Sequence, residues 1–366
     1  MALVRLGIGH ESRVPSQEID WTEIKALADA HGLSAIVLDG LNTVQGEGLM
    51  VHGSMPQMMR LEWIGEVLQN YEQRYKQYEK AISSLAGFYN QHGYKMMVLK
   101  GYACSLDWPK LEHRPCGDID IWLFGQQKEA DVLLDSSEFR NESLESVGKV
   151  KRIKVDNSHH HHTVFEWAGF TVENHYDFIN VHHHKSNAQF EKILKQLGED
   201  DSHTVEVDGD KVYLPSPNLH ALFLLKHLMM HFASEGIMLR QVVDWGFFVE
   251  KHGKDVEWKY VMDVLDQFGM RKMFNIINAI CVGDLGFDAR IFPEVQFDPH
   301  LKDRVLKEIL DPEYSNHTPT GFIKRVIFKI RRWIGNAWKH KLCYKETMWS
   351  AFWSGVWNHL LKPSSI

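Results

Sequence analysis

The sequence predicts an α+β protein: a mixed β-sheet flanked by helices, preceded by an N-terminal helical segment and followed by a C-terminal all-α domain. Three observations predict it. Apolar residues recur at three- and four-residue steps over residues 59–92. Short apolar runs bounded by turn signals occupy residues 94–178. From Ser216 to Val282 the helical period returns, which confines strand-forming sequence to the middle of the chain.

Residues 18–38 read as a helix that Asp20 or Thr22 can cap and Gly32 can end. Over residues 59–92, Leu61, Ile64, Leu68, Tyr71, Tyr75, Tyr78, Ile82, Leu85 and Phe88 form one stripe, and Gly93 stands at the C-cap position. Aromatics at that spacing read as core packing rather than a ligand-stacking ladder. A strand over residues 94–99 follows directly.

Residues 98–123 carry the densest chemistry. An apolar strand ends in Lys100-Gly101, a polar loop follows, and a second strand opens with Asp118 and Asp120. Alternate strand residues face opposite ways, so the two carboxylates share one face while Ile119 and Ile121 take the other. Two such carboxylates are tolerable when water bathes them or a divalent cation neutralises them, and hard oxygen ligands suit Mg²⁺. Gly101 lets backbone N–H groups approach an anion, with the Lys100 charge beside it. Taken alone, an Asp-x-Asp pair is more often a solvated strand end.

Residues 126–134 read as a helix with Ala130, Val132 and Leu133 inward. Residues 164–167 and 170–176, joined by Ala168-Gly169, form a hairpin on whose second strand Glu173, His175 and Asp177 share a face. A strand of this kind beside the Asp118/Asp120 strand completes an acidic triad. His175 can orient Glu173 or meet a phosphate, or it is a satisfied, partly buried histidine. The histidine runs 159–162 and 182–184 read as polar rim residues of which one or two touch substrate, with adventitious zinc or nickel binding as the other use.

Ser216-Pro217 opens a densely apolar helix on which His220, His227 and His231 form a stripe. His227 and His231 have metal-ligand spacing but lack the glutamate of H-E-x-x-H, so they read as core or interface histidines. Residues 239–252 form a helix ended by Gly253, with Arg240 and Asp244 four apart as a surface pair or as groups facing a ligand. Helices over residues 258–268 and 271–282 follow. Residues 315–345 contain no acidic residue and carry Lys324, Arg325, Lys329, Arg331, Arg332, Lys339, Lys341 and Lys345. Trp333, Trp338, Trp349, Trp353 and Trp357 accompany them. Such a tail can lie on an anionic membrane or dock on its own domain with lysine stems over apolar surface, and docking or an oligomer contact is the preferred reading.

With 366 residues, 44% hydrophobic and 24% charged, the chain is long enough for two or three compact units. A net charge of −7 argues against a protein that coats nucleic acid, and no stable nucleic-acid complex is expected. The four cysteines, Cys104, Cys116, Cys281 and Cys343, make no zinc-finger spacing and read as reduced thiols. With neither a signal-peptide core in residues 1–15 nor a long apolar run, a cytoplasmic location is expected.

Leu99-Lys100-Gly101, Arg114-Pro115-x-Gly117-Asp118-Ile119-Asp120-Ile121, Val172-Glu173-Asn174-His175-Tyr176 and Leu239-Arg240-Gln241-Val242-Val243-Asp244-Trp245 together resemble the signature of an uncharacterised bacterial nucleotidyltransferase family. That family lies in the DNA-polymerase-β-like nucleotidyltransferase superfamily. The resemblance implies a nucleotidyltransferase-type sheet and transfer of a nucleoside monophosphate from an NTP to a hydroxyl or phosphate acceptor, with pyrophosphate released. It implies two Mg²⁺ ions on Asp118, Asp120 and Glu173, and a nucleotide contacted by Lys100, Gly101, Arg114 and His175. The Gly101-Tyr102 turn departs from the Gly-Ser or Gly-Gly usual in the superfamily. That departure supports the alternative of a catalytically inactive nucleotide-binding or partner-binding protein on the same fold. A zinc hydrolase built on the histidine clusters is a third reading. The expected organisation is a helical segment over 1–93, a catalytic domain over 94–214, a helical domain over 215–312 and a basic, Trp-rich tail over 313–366, with homo-oligomer or peripheral membrane contact through the tail.

Overall fold

The computed structural model describes residues 1–12, 19–46, 55–136, 138–139, 151–159, 161–182, 184–293, 296–314 and 319–350. The chain divides into two compact units that it visits alternately. Unit 1 comprises Met1–Arg74, Cys104–Pro115 and Ala221–Met348; unit 2 comprises Tyr75–Ala103, Cys116–His220 and the described part of Trp349–Ile366.

Unit 2 holds a six-stranded mixed sheet whose strands are β1 (Met97–Val98), β2 (Ile119–Trp122), β5 (His162–Trp167), β6 (Phe170–His175), β7 (Thr204–Val207) and β8 (Asp210–Tyr213), in the order β5-β6-β2-β1-β8-β7. A separate short pair joins β3 (Glu138–Phe139) to β4 (Lys151–Arg152). At the centre β2 runs parallel to β6 and antiparallel to β1. Ile119, Ile121 and Val172 are fully buried on one face of the sheet and Asp120 and Trp122 are buried on the other, as a strand covered on both faces requires. Both outer hairpins turn on two residues with positive φ, Ala168-Gly169 and Asp208-Gly209. That backbone matches the strand twist. The β7–β8 hairpin is absent from the sequence reading, although its Asp-Gly turn is a strong local signal.

Helix α5 (Arg74–Gln91) is tied to both sides of this sheet. Its Ser83 hydroxyl donates to Asp210 at 2.8 Å, and Trp167 donates its indole N–H to the Ser84 hydroxyl at 2.9 Å. On α7 (Gln127–Ser136), Asp131 accepts from Thr163 and from Asn174, both at 2.9 Å. Gln127, Ala130 and Leu134 are the buried residues of α7, while Val132 is exposed, against the inward position expected of it. A step of four, 130 to 134, defines the face that meets the sheet. Glu191 of α8 (Lys185–Gly198) accepts the backbone N–H groups of Phe178 and Ile179 at 2.9 and 3.1 Å, fixing the chain as it leaves β6.

Unit 1 is helical. It begins with α1 (Ala2–Gly7), α2 (Trp21–Ala30), α3 (Ser34–Gly46) and α4 (Gln57–Val67). Asp20 caps α2 by accepting from the Thr22 and Glu23 N–H groups, as the sequence suggests. The helix expected over residues 59–92 is α4, a π-helical segment Leu68–Gln73 and α5 in series. The extra residue of the π turn shifts the stripe. Trp63 and Val67 are buried one position ahead of the expected Ile64 and Leu68, and Leu61 and Leu68 are exposed.

The later helices are α9 (Pro217–Ser234), which begins at Pro217 as expected, α10 (Leu239–His252), α11 (Trp258–Gln267), α12 (Arg271–Gly283) and α13 (Pro299–Leu310). Their core contains Phe232, Val242, Trp245, Phe248, Phe274 and Ile277. Trp245 donates to Asn278 at 2.7 Å, leaving no bare indole N–H in that core. Asp244 is not a surface partner of Arg240. It lies buried, where it accepts from Arg114 Nε and Nη2 at 2.8 and 2.9 Å and from the Trp108 indole at 2.9 Å. The connecting segments are completed by α6 (Tyr102–Ser105), α14 (Phe322–Gly335) and α15 (Ala337–Cys343). No helix among the described residues is long and apolar enough to cross a membrane.

A bidentate pair this deeply buried is costly to break on one side only. Arg114→Met or Asp244→Leu alone should each lower the unfolding free energy by about 3–5 kcal/mol, because the remaining partner is left charged and dry. The double substitution should recover most of that loss in urea unfolding. An additive double mutant would count against the pair as the organising contact of this part of unit 1.

Candidate active site

The site begins at the turn after β1. Gly101 adopts φ +59°, and a Cβ there would lie 2.6 Å from the Tyr78 hydroxyl. That hydroxyl donates to the Asp118 carbonyl at 3.0 Å. One tyrosine of α5 thus fills the space beside the Lys-Gly turn and holds the residue that opens the aspartate strand. Only glycine meets both conditions at this turn.

Strand register then fixes which side chains meet. Asp120 pairs with Glu173 and Trp122 with His175 across β2 and β6, while His162 pairs with His175 across β5 and β6. Asp120 is buried, Glu173 is half-buried and Asp118, just ahead of β2, is exposed. The Asp120 Oδ1 accepts from Lys100 Nζ at 2.9 Å and lies 3.2 Å from His175 Nε2. The same Nε2 is 3.5 Å from Glu173 Oε2, and His162 Nε2 is 4.0 Å from Glu173 Oε1.

These distances determine the protonation pattern. His175 Nδ1 lies 3.2 Å from the Asp177 carbonyl, which can only accept, so Nδ1 carries a proton. Nε2 therefore faces Asp120 and Glu173 either as a second N–H or as a lone pair that requires a cation between them. Burial alone would raise the Asp120 carboxyl, but the Lys100 ammonium and the His175 ring hold it far below the usual carboxylate range. Burial opposes the charge on Lys100 and His175 too, and in both it is overridden by the adjacent carboxylates, which push their pKa values up. Asp118 moves the other way. Partial burial and the negative charges of Glu173 and Asp120 raise it.

Two further histidines join the group. One ligand atom each from Asp120, Glu173 and His175 lie within 4.8 Å of one another, and so do those of His161, His162 and His175. Burial, together with the charge of His175, pushes His161 down to about 2 and His162 to about 4. Both are neutral near pH 7, the form in which imidazole binds metal. The donor set fits a divalent cation: two carboxylates supply negative charge, and an imidazole nitrogen already points between them. His162 was legible in principle, since counting back from a two-residue turn at Ala168-Gly169 sets it opposite His175.

Of the residues singled out from the sequence, Lys100, Gly101, Asp118, Asp120, Glu173 and His175 all lie in unit 2 around this group. Arg114 belongs to unit 1, where Asp244 takes two of its nitrogens. His227 and His231 face each other Nε2 to Nε2 at 3.2 Å, and no third ligand joins them among the described residues. His160 and His183 lie outside the described residues.

With this geometry in hand, the comparisons gave one match. The model of a family described as an uncharacterised nucleotidyltransferase matches residues 17–282. No curated protein and no solved structure matches.

The turn can be tested by itself. Gly101→Ala should destabilise the fold by about 1–3 kcal/mol, through strained φ and collision with Tyr78. Combining it with Tyr78→Phe should cost less than the sum of the two singles in a double-mutant cycle, since the colliding atom is gone. Strict additivity would show that the two residues do not share the space.

Proposed function

The chain belongs to the uncharacterised nucleotidyltransferase family, and from that premise we propose that it is a divalent-metal-dependent nucleotidyltransferase of the DNA-polymerase-β-like type. It moves a nucleoside monophosphate from an NTP to a hydroxyl or phosphate acceptor: the acceptor oxygen forms a bond to the α-phosphorus, the bond to the β-phosphate oxygen breaks, and pyrophosphate leaves. The observation that carries the reading is the alignment of Asp120 beside Glu173, with His175 Nε2 directed at both.

Asp118, Asp120 and Glu173 are the carboxylates assigned to the metal, in the manner of a two-Mg²⁺ centre, with His175 as an additional nitrogen donor. A divalent cation held there lowers the pKa of the acceptor hydroxyl and offsets charge on the leaving pyrophosphate. Lys100 is the cation assigned to the triphosphate. In the protein alone its ammonium rests on Asp120 at 2.9 Å, within reach of any anion that displaces the carboxylate. Gly101 is assigned to the phosphates through the peptide N–H groups of its turn, whose side-chain face is closed by Tyr78. Arg114, the second cation assigned to the triphosphate, has its Nε and Nη2 held by Asp244. With no covalent intermediate required, rate comes from placing the reactants and from charge compensation. The carboxylate-and-imidazole donor set also admits Mn²⁺ in place of Mg²⁺.

Pyrophosphate release should be followed with each ribonucleoside triphosphate, across a panel of sugar phosphates, small-molecule alcohols, RNA ends and proteins as acceptors. Turnover is expected to need Mg²⁺ or Mn²⁺ and to vanish with chelator. Asp120→Asn should cost at least about 10³-fold in kcat without unfolding the protein. Unimpaired turnover by Asp120→Asn would refute the assignment. Nucleotide binding that never leads to pyrophosphate release with any acceptor would favour the inactive, nucleotide-binding alternative, for which the Gly101-Tyr102 turn speaks.

A further inference from the structure

Outside the residues matched by the family, α14 presents an arrangement that the transferase reading leaves unused. Its sequence, F-I-K-R-V-I-F-K-I-R-R-W-I-G, holds five cations and no acidic residue. At 3.6 residues per turn, Phe322, Ile323, Val326, Ile327, Ile330, Trp333 and Ile334 fall within an arc of about 140°. Lys324, Arg325, Lys329, Arg331 and Arg332 occupy the rest, together with Phe328. In a helix docked on its own domain the apolar arc turns inward. Here it does not: Phe322, Ile323, Val326, Ile327, Ile330 and Ile334 are 40–82% exposed, and the helix buries no residue.

Of the apolar arc only Trp333 is half-buried, and α14 is also held from its opposite side. Phe328 meets the Tyr314 ring at 6.4 Å, and Tyr314 also closes on Gly335, where an added Cβ would lie 2.4 Å from the ring. Phe328 and Gly335 lie about 170° and about 150° around the helical wheel from the middle of the apolar arc. The next helix behaves in the ordinary way. On α15, Leu342 and Cys343 are buried, Lys339 pairs with Glu308, and Arg304 lies 3.9 Å over the Trp338 ring. The docking expected of the basic tail is thus met by α15 and not by α14.

We propose that α14 is an interfacial anchor that lays its isoleucine face into the surface of an anionic lipid bilayer, with its lysines and arginines among the headgroups. Charge complementarity selects this occupant. A second copy of the helix would match the apolar arc but set five cations against five with no carboxylate on either helix. Residues 351–366, which follow in the chain, also contain no acidic residue. Nucleic acid would answer the cations and leave the isoleucines in water. Only an anionic bilayer offers apolar depth and negative charge along one plane.

The test is flotation of the full-length protein with vesicles of phosphatidylglycerol and phosphatidylcholine in equal parts, and with phosphatidylcholine alone, at low and high salt. Binding to the anionic vesicles is expected, weakened by salt and by removal of the anionic lipid. The triple substitution Ile323→Asp, Ile327→Asp, Ile330→Asp should lower the partition at least about ten-fold. Its thermal unfolding should match wild type, because these side chains are exposed in the folded chain. Absence of wild-type binding, or equal binding by the triple variant, would overturn the proposal. So would a dimer in light scattering that the triple substitution dissolves, which would assign the face to a second copy. Anionic binding that appears only after residues 351–366 are deleted would assign it to the chain's own C-terminal segment.

Discussion

A carboxylate buried at the centre of a sheet has to be neutralised where it stands, and the arrangement of unit 2 follows from doing so for Asp120. One counter-charge comes from Lys100 at the end of β1, and the other from His175 at the end of β6. Both neighbouring strands must therefore keep their register against β2. A slip of one residue in β6 would replace Glu173 and His175 on this face by Val172 and Asn174, leaving Asp120 charged against apolar surroundings. The Tyr78 hydroxyl, the Glu191 carboxylate and the Asp131 carboxylate each fix a backbone or strand position that this register depends on.

Unit 1 meets the same requirement at Asp244, with a different outcome. There the carboxylate is held by the Arg114 guanidinium in fork geometry and topped by an indole N–H, with the buried Arg240 guanidinium near enough to feel its charge. Around Asp120 the count is open. Asp118 and Glu173 add negative charge beyond what Lys100 supplies, and neutral imidazoles stand ready nearby. A closed pair builds a core, whereas an open one invites a ligand that brings positive charge.

Much of the fold could be read locally. Asp20 before a helical period, Pro217 after Ser216, and Ala168-Gly169 between two apolar runs each carry their own stereochemical reason, and each element stands where that reason sets it. Local reading failed where the deciding contact is remote or where the period itself changes. Nothing around Arg114 announces that its Nε and Nη2 are held by Asp244 in a distant helix. The π segment at Leu68–Gln73 conserves an apolar stripe while moving it by a residue, and that exchanged Ile64 and Leu68 for Trp63 and Val67. Within the candidate site, alternation along one strand was enough to set Glu173 and His175 on one face. The contribution of His161 and His162 needed strand pairing to be counted across the turn, and the run of histidines around them obscured which ones it selects.

The alternation of the chain between its two units bears on how such a protein can be taken apart, in the laboratory or in evolution. Residues 104–115 of unit 1 are set between segments of unit 2, whose two longer segments lie inside unit 1 while its last begins after it, at Trp349. No single cut releases either unit whole, and a cassette exchange at one crossover point would carry fragments of both. The family match, residues 17–282, likewise takes in segments of both units.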